Sequence, residues 1–366
     1  MTKFIKWFIK TLLVIAGIFP LLKCSSGYEK KNGKITFNGK EITDRNFMVL
    51  NEVFAKDSST AYYKEHPFRS ADVATFIAVD NHYAKDKNKV YYCDEYREGQ
   101  NYYLTKKQTI EVVHDAIPAS FKSIEYGYAK DEFRAYYKGI AFTVKDVASL
   151  QSINTYFVKD DVQAYINRNP IAGSNGNTFT IMNNNYAKDT AHIYFYITSG
   201  EYDQLIHRIE CHRNTFEILD YPYAKDQGAV YFEGKNIEEA DPVTLKLLSH
   251  GYATDKTNVF KGAKKITSAD ALSFVVYKEN DSFNDEFIYT KDNTSVFYND
   301  KKLIGVDLAT FKPLGNNYGC DNKHVFYKTA IMKNAQPANF KVYPHDIGDA
   351  DAEDKMNKYN QGKRVQ

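Results

Sequence analysis

The chain of 366 residues has only four cysteines, Cys24, Cys93, Cys211 and Cys320. The last three lie far apart and show no paired metal-ligand spacing. A dense disulfide framework is therefore excluded, and the core must carry stability; one disulfide among them stays open in an oxidising compartment. Charge imbalance is also lacking. The formal net charge is +2, which offers no strong field to nucleic acid or acidic lipid. No Gly-x-Ser-x-Gly nucleophile turn, phosphate loop or dinucleotide fingerprint occurs. No Gly-rich nonapeptide rhythm of a calcium β-roll is present either. These absences leave no residue in a catalytic role and no cofactor, so a non-enzymatic protein is expected.

What is present is globular composition, 43 % hydrophobic and 26 % charged, with aromatics at 15 % and 30 tyrosines. Such rings fill a thin core of short strands while keeping a polar edge for the surface. The N-terminus differs from the rest. Lys3, Lys6 and Lys10 precede an apolar run from Thr11 to Leu22, followed by Lys23, Cys24, Ser25 and Ser26. The run is shorter than the about 20 residues of a membrane span. This is the layout of an export signal. Three outcomes stay open: a lipoprotein acylated at Cys24, an uncleaved membrane anchor, and simple cleavage. Lys23 stands where a lipoprotein signal places a small residue.

The decisive feature is internal repetition. A phrase of aromatic, Ala, Lys, Asp reads Phe54-Ala55-Lys56-Asp57 and starts again at Tyr83, Tyr128, Phe157, Tyr186 and Tyr223. Looser copies start at Tyr252, Tyr289 and Tyr318, and a degenerate one at Tyr28. The commonest spacing is 29 residues, and the long spacings of 45, 37 and 37 exceed it by even numbers. Lengthening both arms of a hairpin equally adds an even number and keeps every side chain on its face. Long hairpins are expected around Glu98-Gly99 and Ser199-Gly200.

Within the stretch from Tyr223 to Gly251, three short strands are separated by turns at Asp226-Gln227-Gly228 and Glu233-Gly234. Asp241-Pro242 then starts a short helix, with Leu245 and Leu248 on its buried side. Similar starts occur at Asp72, Asp146, Asp270 and Asp307. The expected fold is mainly β with short helices: an elongated, curved, solenoid-like array of about ten β-meander-plus-helix units. A closed propeller-like ring is the alternative, although propeller blades usually run about 40–45 residues. The expected boundaries are an export signal or anchor over 1–23, a linker over 24–27, the array over 28–346 and a polar tail over 347–366. The tail lacks periodic apolar residues and is expected to be disordered.

The phrase, followed by Lys87-Asn88-Lys89-Val90-Tyr91-Tyr92, resembles the DKNYY family of bacterial proteins. The clearest copies are those at Tyr83 and Tyr223; Thr254 and Gly319-Cys320 depart from the pattern. The resemblance implies an exported or surface-linked repeat protein and brings no catalytic residue or cofactor.

The recurring Asp at 57, 86, 131, 160, 189, 226, 255, 292 and 321 reads as a turn cap bonding backbone N–H groups. Calcium needs several oxygens from one loop, and only some loops add a second candidate such as Asn88 or Asp161. The adjacent lysines, Lys56, Lys85, Lys130, Lys159, Lys188, Lys225 and Lys291, read as lying over rings or pairing with carboxylates rather than as a basic stripe. His207, Cys211 and His212 are the most metal-like grouping but lack a fourth ligand. The expected function is binding of a protein or glycan partner, with membrane attachment through Cys24 or the N-terminal anchor. The binding candidates are Tyr96, Tyr102, Tyr103, Tyr196 and Tyr202, on the two long hairpins. A purely structural envelope protein and a glycan hydrolase are the rival readings.

Overall fold

The computed structural model describes residues 27–44, 46–68, 70–97, 106–199, 203–277, 288–347 and 350–365. Among them there is no α-helix, and the strands form eleven small antiparallel sheets, one of three strands and ten of four. Strand order follows chain order in every sheet, so each is an open meander. By contact the described residues divide into two compact units, one within residues 1–180 with 200–204 and one within 181–199 with 205–366. The same repeat builds both.

The Tyr223 repeat shows why the phrase makes this sheet. Glu217–Ile218, Tyr223–Lys225, Val230–Phe232 and Lys235–Asn236 pair in that order. Ala224 lies opposite Tyr231, and Tyr223 opposite Phe232. Side chains alternate along a strand, so these pairs sit on opposite faces. Ala224 and Tyr231 pack with Tyr186, Ile193 and Phe195 of the preceding repeat. Tyr223 and Val230 pack with Ala253 and Phe260 of the following one. The small Ala makes room for the neighbouring repeat's rings, and within this unit each such repeat covers the next. The first unit does the same: Tyr83, Val90 and Tyr92 pack on Ala129 and Tyr136, and Tyr128 and Ala135 on Val158 and Tyr165.

The expected helices are corrected to single turns. Their caps exist: Asp241 accepts from the Val243 N–H at 3.0 Å and from Thr244 Oγ1 at 2.8 Å. However, the next strand, Lys246–Leu247, begins five residues after Asp241. That leaves no length to offset helix nucleation. Among the described residues the regular 3₁₀ turns are Gly176–Thr178, Arg213–Thr215 and Pro337–Asn339.

Both long hairpins exist, but not around the expected turns. Val90–Tyr96 pairs with Lys107–Val112, with Tyr96 opposite Lys107. A tight turn at Glu98-Gly99 would instead have put residue 101 opposite Tyr96, so the connection is longer than the local turn signal implied. In the second hairpin Ser199 still belongs to the first arm, Ile193–Ser199, and the return arm is Asp203–Ile209. The insertion before Tyr289 lies elsewhere, between Val275–Val276 and Tyr289–Lys291 in the first hairpin of its sheet.

The polar tail is also corrected. Lys341–Ile347, Ala350–Glu353, Lys358–Asn360 and Lys363–Val365 form the eleventh sheet. Asp351 stands where other copies begin with an aromatic, which hid the repeat. Its carboxylate, itself buried, accepts from the Tyr318 hydroxyl at 2.6 Å and from the Gln361 N–H at 2.9 Å.

Candidate functional site

The phrase residues hold the architecture together. Asp86 is buried, and Oδ1 accepts from the N–H groups of Asn88 and Lys89 at 2.7 and 2.9 Å. Oδ2 accepts from the Tyr91 hydroxyl and the Asp72 N–H, each at 2.8 Å. Asp131, Asp226 and Asp354 repeat all four bonds. One carboxylate thus closes its own turn and ties down the start of the preceding one. Burial would raise these carboxyls, but the N–H and tyrosine donors outweigh it and hold Asp86, Asp131, Asp226 and Asp354 below the ordinary carboxylate range. At these four aspartates the two carboxylate oxygens accept four hydrogen bonds, as the turn-cap reading expects.

The phrase lysine has a job the sequence did not reveal. Lys85 Nζ donates to the carbonyls of Pro118 and Phe121 at 2.7 and 2.9 Å. Lys130 donates to Val147, Ala148 and Leu150 at 2.7–2.9 Å and is buried. Each caps the carbonyl end of the single turn that follows. Lys291 lies over the Tyr277 ring at 5.2 Å, as the ring-stacking expectation had it. The leading tyrosines staple repeats: the Tyr83 hydroxyl donates to the Gly127 carbonyl at 2.9 Å and accepts from the Gly139 N–H at 2.9 Å.

Of the binding candidates, Tyr96 is exposed, at 42 %. Tyr196 is buried, and its hydroxyl donates to the Asn183 carbonyl at 2.5 Å, so its ring is part of the core. Tyr196 follows Asp189 by seven residues, as Cys93 follows Asp86, and Cys93 is fully buried; that offset was readable in the sequence. Tyr102, Tyr103, Tyr202 and Cys24 lie outside the described residues. The metal-like trio is not gathered. The His207 ring packs on Phe195, Cys211 enters the apolar cluster with Phe216, and the His212 ring lies beside Gly228. No group of three metal-ligating side chains occurs among the described residues.

The site with the most varied chemistry is an open groove of about 680 Å³ in the first unit, formed by the Tyr83 and Tyr128 repeats. Tyr92 and Asp94 line it from one face of the long hairpin, while Tyr91 and Cys93 point the other way into the core. Tyr96 follows Asp94 by two residues, which puts it on the groove side. The Tyr92 hydroxyl donates to Asp94 Oδ2 at 2.9 Å, and the His82 ring stacks on Tyr92 with centroids 6.1 Å apart. Asp80 caps the N–H of Tyr83 at 2.6 Å and accepts from Ser123 Oγ at 2.5 Å. Across the groove, Glu125, Tyr126 and Gly127 are consecutive residues with φ of 77°, 52° and 80°. Left-handed backbone costs a bulky side chain on the order of 1 kcal/mol or more. Here it presents the Tyr126 ring outward, 51 % exposed. Lys138 completes the rim.

One family model matches three successive stretches, residues 10–95, 96–227 and 223–363. The chain belongs to the DKNYY family. No curated protein and no solved structure matches it. In this DKNYY protein the motif letters have separable physical roles. Asp86 closes the turn, Lys87 pairs with Asp72 at 2.9 Å and Asn88 donates its N–H to Asp86. Tyr91 locks onto Asp86 from the core side, and Tyr92 faces the groove. The DKNYY chain is a repeat scaffold whose motif residues are mostly spent on building it.

Proposed function

We propose that this DKNYY protein is a non-catalytic binding scaffold, exported and held at the membrane by its N-terminal segment, that takes a neutral or amino-bearing glycan of the cell envelope. The groove beside Tyr126 carries the reading. A sugar offers apolar C–H faces that stack on exposed rings, and hydroxyl or ammonium donors that suit carboxylates. Tyr126 supplies such a ring, and Asp94 and Glu125 supply acceptors. Three carboxylates, Asp80, Asp94 and Glu125, face one lysine, Lys138, which disfavours an acidic polymer. Export rests on the basic start, the apolar run and the Cys24-Ser25-Ser26 junction. No helix among the described residues is long and apolar enough to cross a membrane. Mass spectrometry of the mature N-terminus separates acylated Cys24, an intact Met1 and a free, unmodified terminus.

Calorimetric titration with N-acetylhexosamine oligosaccharides tests the groove. The wild type should bind, and Tyr126→Ala and Asp94→Ala should each weaken binding at least about tenfold with unchanged near-ultraviolet circular dichroism. Absence of binding to every neutral or amino sugar, or equal binding by Tyr126→Ala, overturns the reading. Turnover of a glycan by the pure protein would favour the hydrolase instead.

A further inference from the structure

An open meander leaves two sheet edges per repeat, each a row of unpaired backbone donors and acceptors. Most outermost strands here run two to four residues. Among the described residues three are longer: Lys107–Val112, Asp203–Ile209 and Lys341–Ile347. Lys341–Ile347 contains Pro344, and its pairing is interrupted between Val342 and Ile347. Proline and a bulge are two of the devices that blunt an edge. Lys107–Val112 has neither. It pairs without interruption along Tyr91–Tyr96, and no other strand among the described residues pairs with its outer side.

We propose that Lys107–Val112 is a dimerisation edge, at which two copies of this chain join their Tyr83-repeat sheets antiparallel into one eight-stranded sheet. The strand's own sequence fixes the register. Directly opposed residues of an antiparallel pair share a face, so a two-fold axis normal to the sheet must pass through a residue and its own copy. Centring it on Thr109 sets Thr109 against Thr109 and Lys107 against Glu111, twice. Lys107 and Glu111 are exposed, and Val112 is 37 % exposed. Opposite charges and threonine pairs are favoured cross-strand neighbours. Asp203–Ile209 lacks proline too, but its sequence, Asp-Gln-Leu-Ile-His-Arg-Ile, has no carboxylate an even number of residues from an arginine or lysine, so no self-pairing register opposes such charges. Lys107, Thr109 and Glu111 lie across from Tyr96, Asp94 and Tyr92. If the glycan reading holds, the dimer therefore carries two grooves on one continuous sheet and binds a polymer bivalently.

Sedimentation velocity of the full chain in mild detergent tests the edge directly, without any glycan. The wild type should dimerise at micromolar concentration. Lys107→Glu sets like charges together at both ends and should raise the dimer Kd about tenfold or more, and the swap Lys107→Glu with Glu111→Lys should restore it. Thr109→Cys should oxidise to a covalent dimer on a non-reducing gel. Gln108→Cys, which falls across from Ile110, should not. A wild type that stays monomeric at about 100 μM, a Lys107→Glu chain that dimerises normally, or equal cross-linking at 108 and 109 overturns the proposal.

Discussion

Replacing Asp86 with alanine strands four donors at once: the N–H groups of Asn88, Lys89 and Asp72, and the hydroxyl of Tyr91. Hydrogen bonds to a charged group contribute about 1.5–3 kcal/mol each. The two turn N–H groups recover water when the carboxylate leaves. The Asp72 N–H, partly buried, loses its partner outright, and the buried Tyr91 hydroxyl keeps only the longer bond to the Ser70 carbonyl at 3.3 Å. The expected cost is about 3–5 kcal/mol, comparable to breaking a buried charged pair. Asp86→Asn keeps the Oδ1 acceptor but turns an amide donor toward the Asp72 N–H, so it should cost about 2 kcal/mol. Tyr91→Phe should cost about 1 kcal/mol alone and less in the Asp86→Ala chain, where the Ser70 carbonyl is the acceptor left to its hydroxyl. Phe260, Phe297 and Phe326 stand at the Tyr91 position in three repeats. There Asp255, Asp292 and Asp321 still accept backbone N–H groups, so the backbone capping is the larger share. Urea unfolding with amide hydrogen exchange at residues 72, 88 and 89 reads these values. An Asp86→Ala chain within about 0.5 kcal/mol of wild type, or a Tyr91→Phe cost undiminished without Asp86, would falsify the reasoning.

The other predictions share this chemistry. The capping carboxyls titrate below their ordinary, unfolded value, so their stabilisation is present above about pH 4 and is lost as pH falls through the depressed folded values. The urea midpoint should be flat from pH 7 to about 5 and fall steeply below 4; a midpoint that rises on acidification contradicts this. Tyr223→Ala, at a side chain 2 % exposed, should cost about 3–5 kcal/mol by thermal melting, as other large core truncations do. Gly139 has φ +75°, and an added Cβ would lie 2.7 Å from Cβ of Tyr92. Gly139→Ala should therefore lower stability by about 2 kcal/mol or more in the same assay.

The repeat was legible because each motif side chain meets a backbone need at a fixed offset. Asp reaches two and three residues ahead, and the aromatic-Ala alternation marks which face meets which neighbour. The eleventh repeat escaped because Asp351 replaces the aromatic. Yet Asp354, Tyr359 five residues later and Gln361-Gly362 repeat the rest of the pattern. The long hairpin's register escaped because Glu98-Gly99 is a local turn signal, while the pairing of Tyr96 with Lys107 is set by the strand arms. The lysine caps were invisible because their carbonyl partners lie 17–36 residues away. The groove is built from positions outside the phrase in two repeats. Its exposed ring, Tyr126, depends on a left-handed backbone that composition does not announce.

Amide hydrogen exchange of the full chain, with and without an N-acetylhexosamine oligosaccharide, tests the division of labour most directly. Without ligand, the amides two and three residues after each motif Asp should be slow in every repeat. With ligand, added protection should be confined to residues 80–82, 92–96, 123–127 and 138, leaving the motif amides of the remaining repeats unchanged. Protection spread evenly over the repeats would contradict the account, because it would make the repeated motif itself, rather than the groove beside Tyr126, the binding surface.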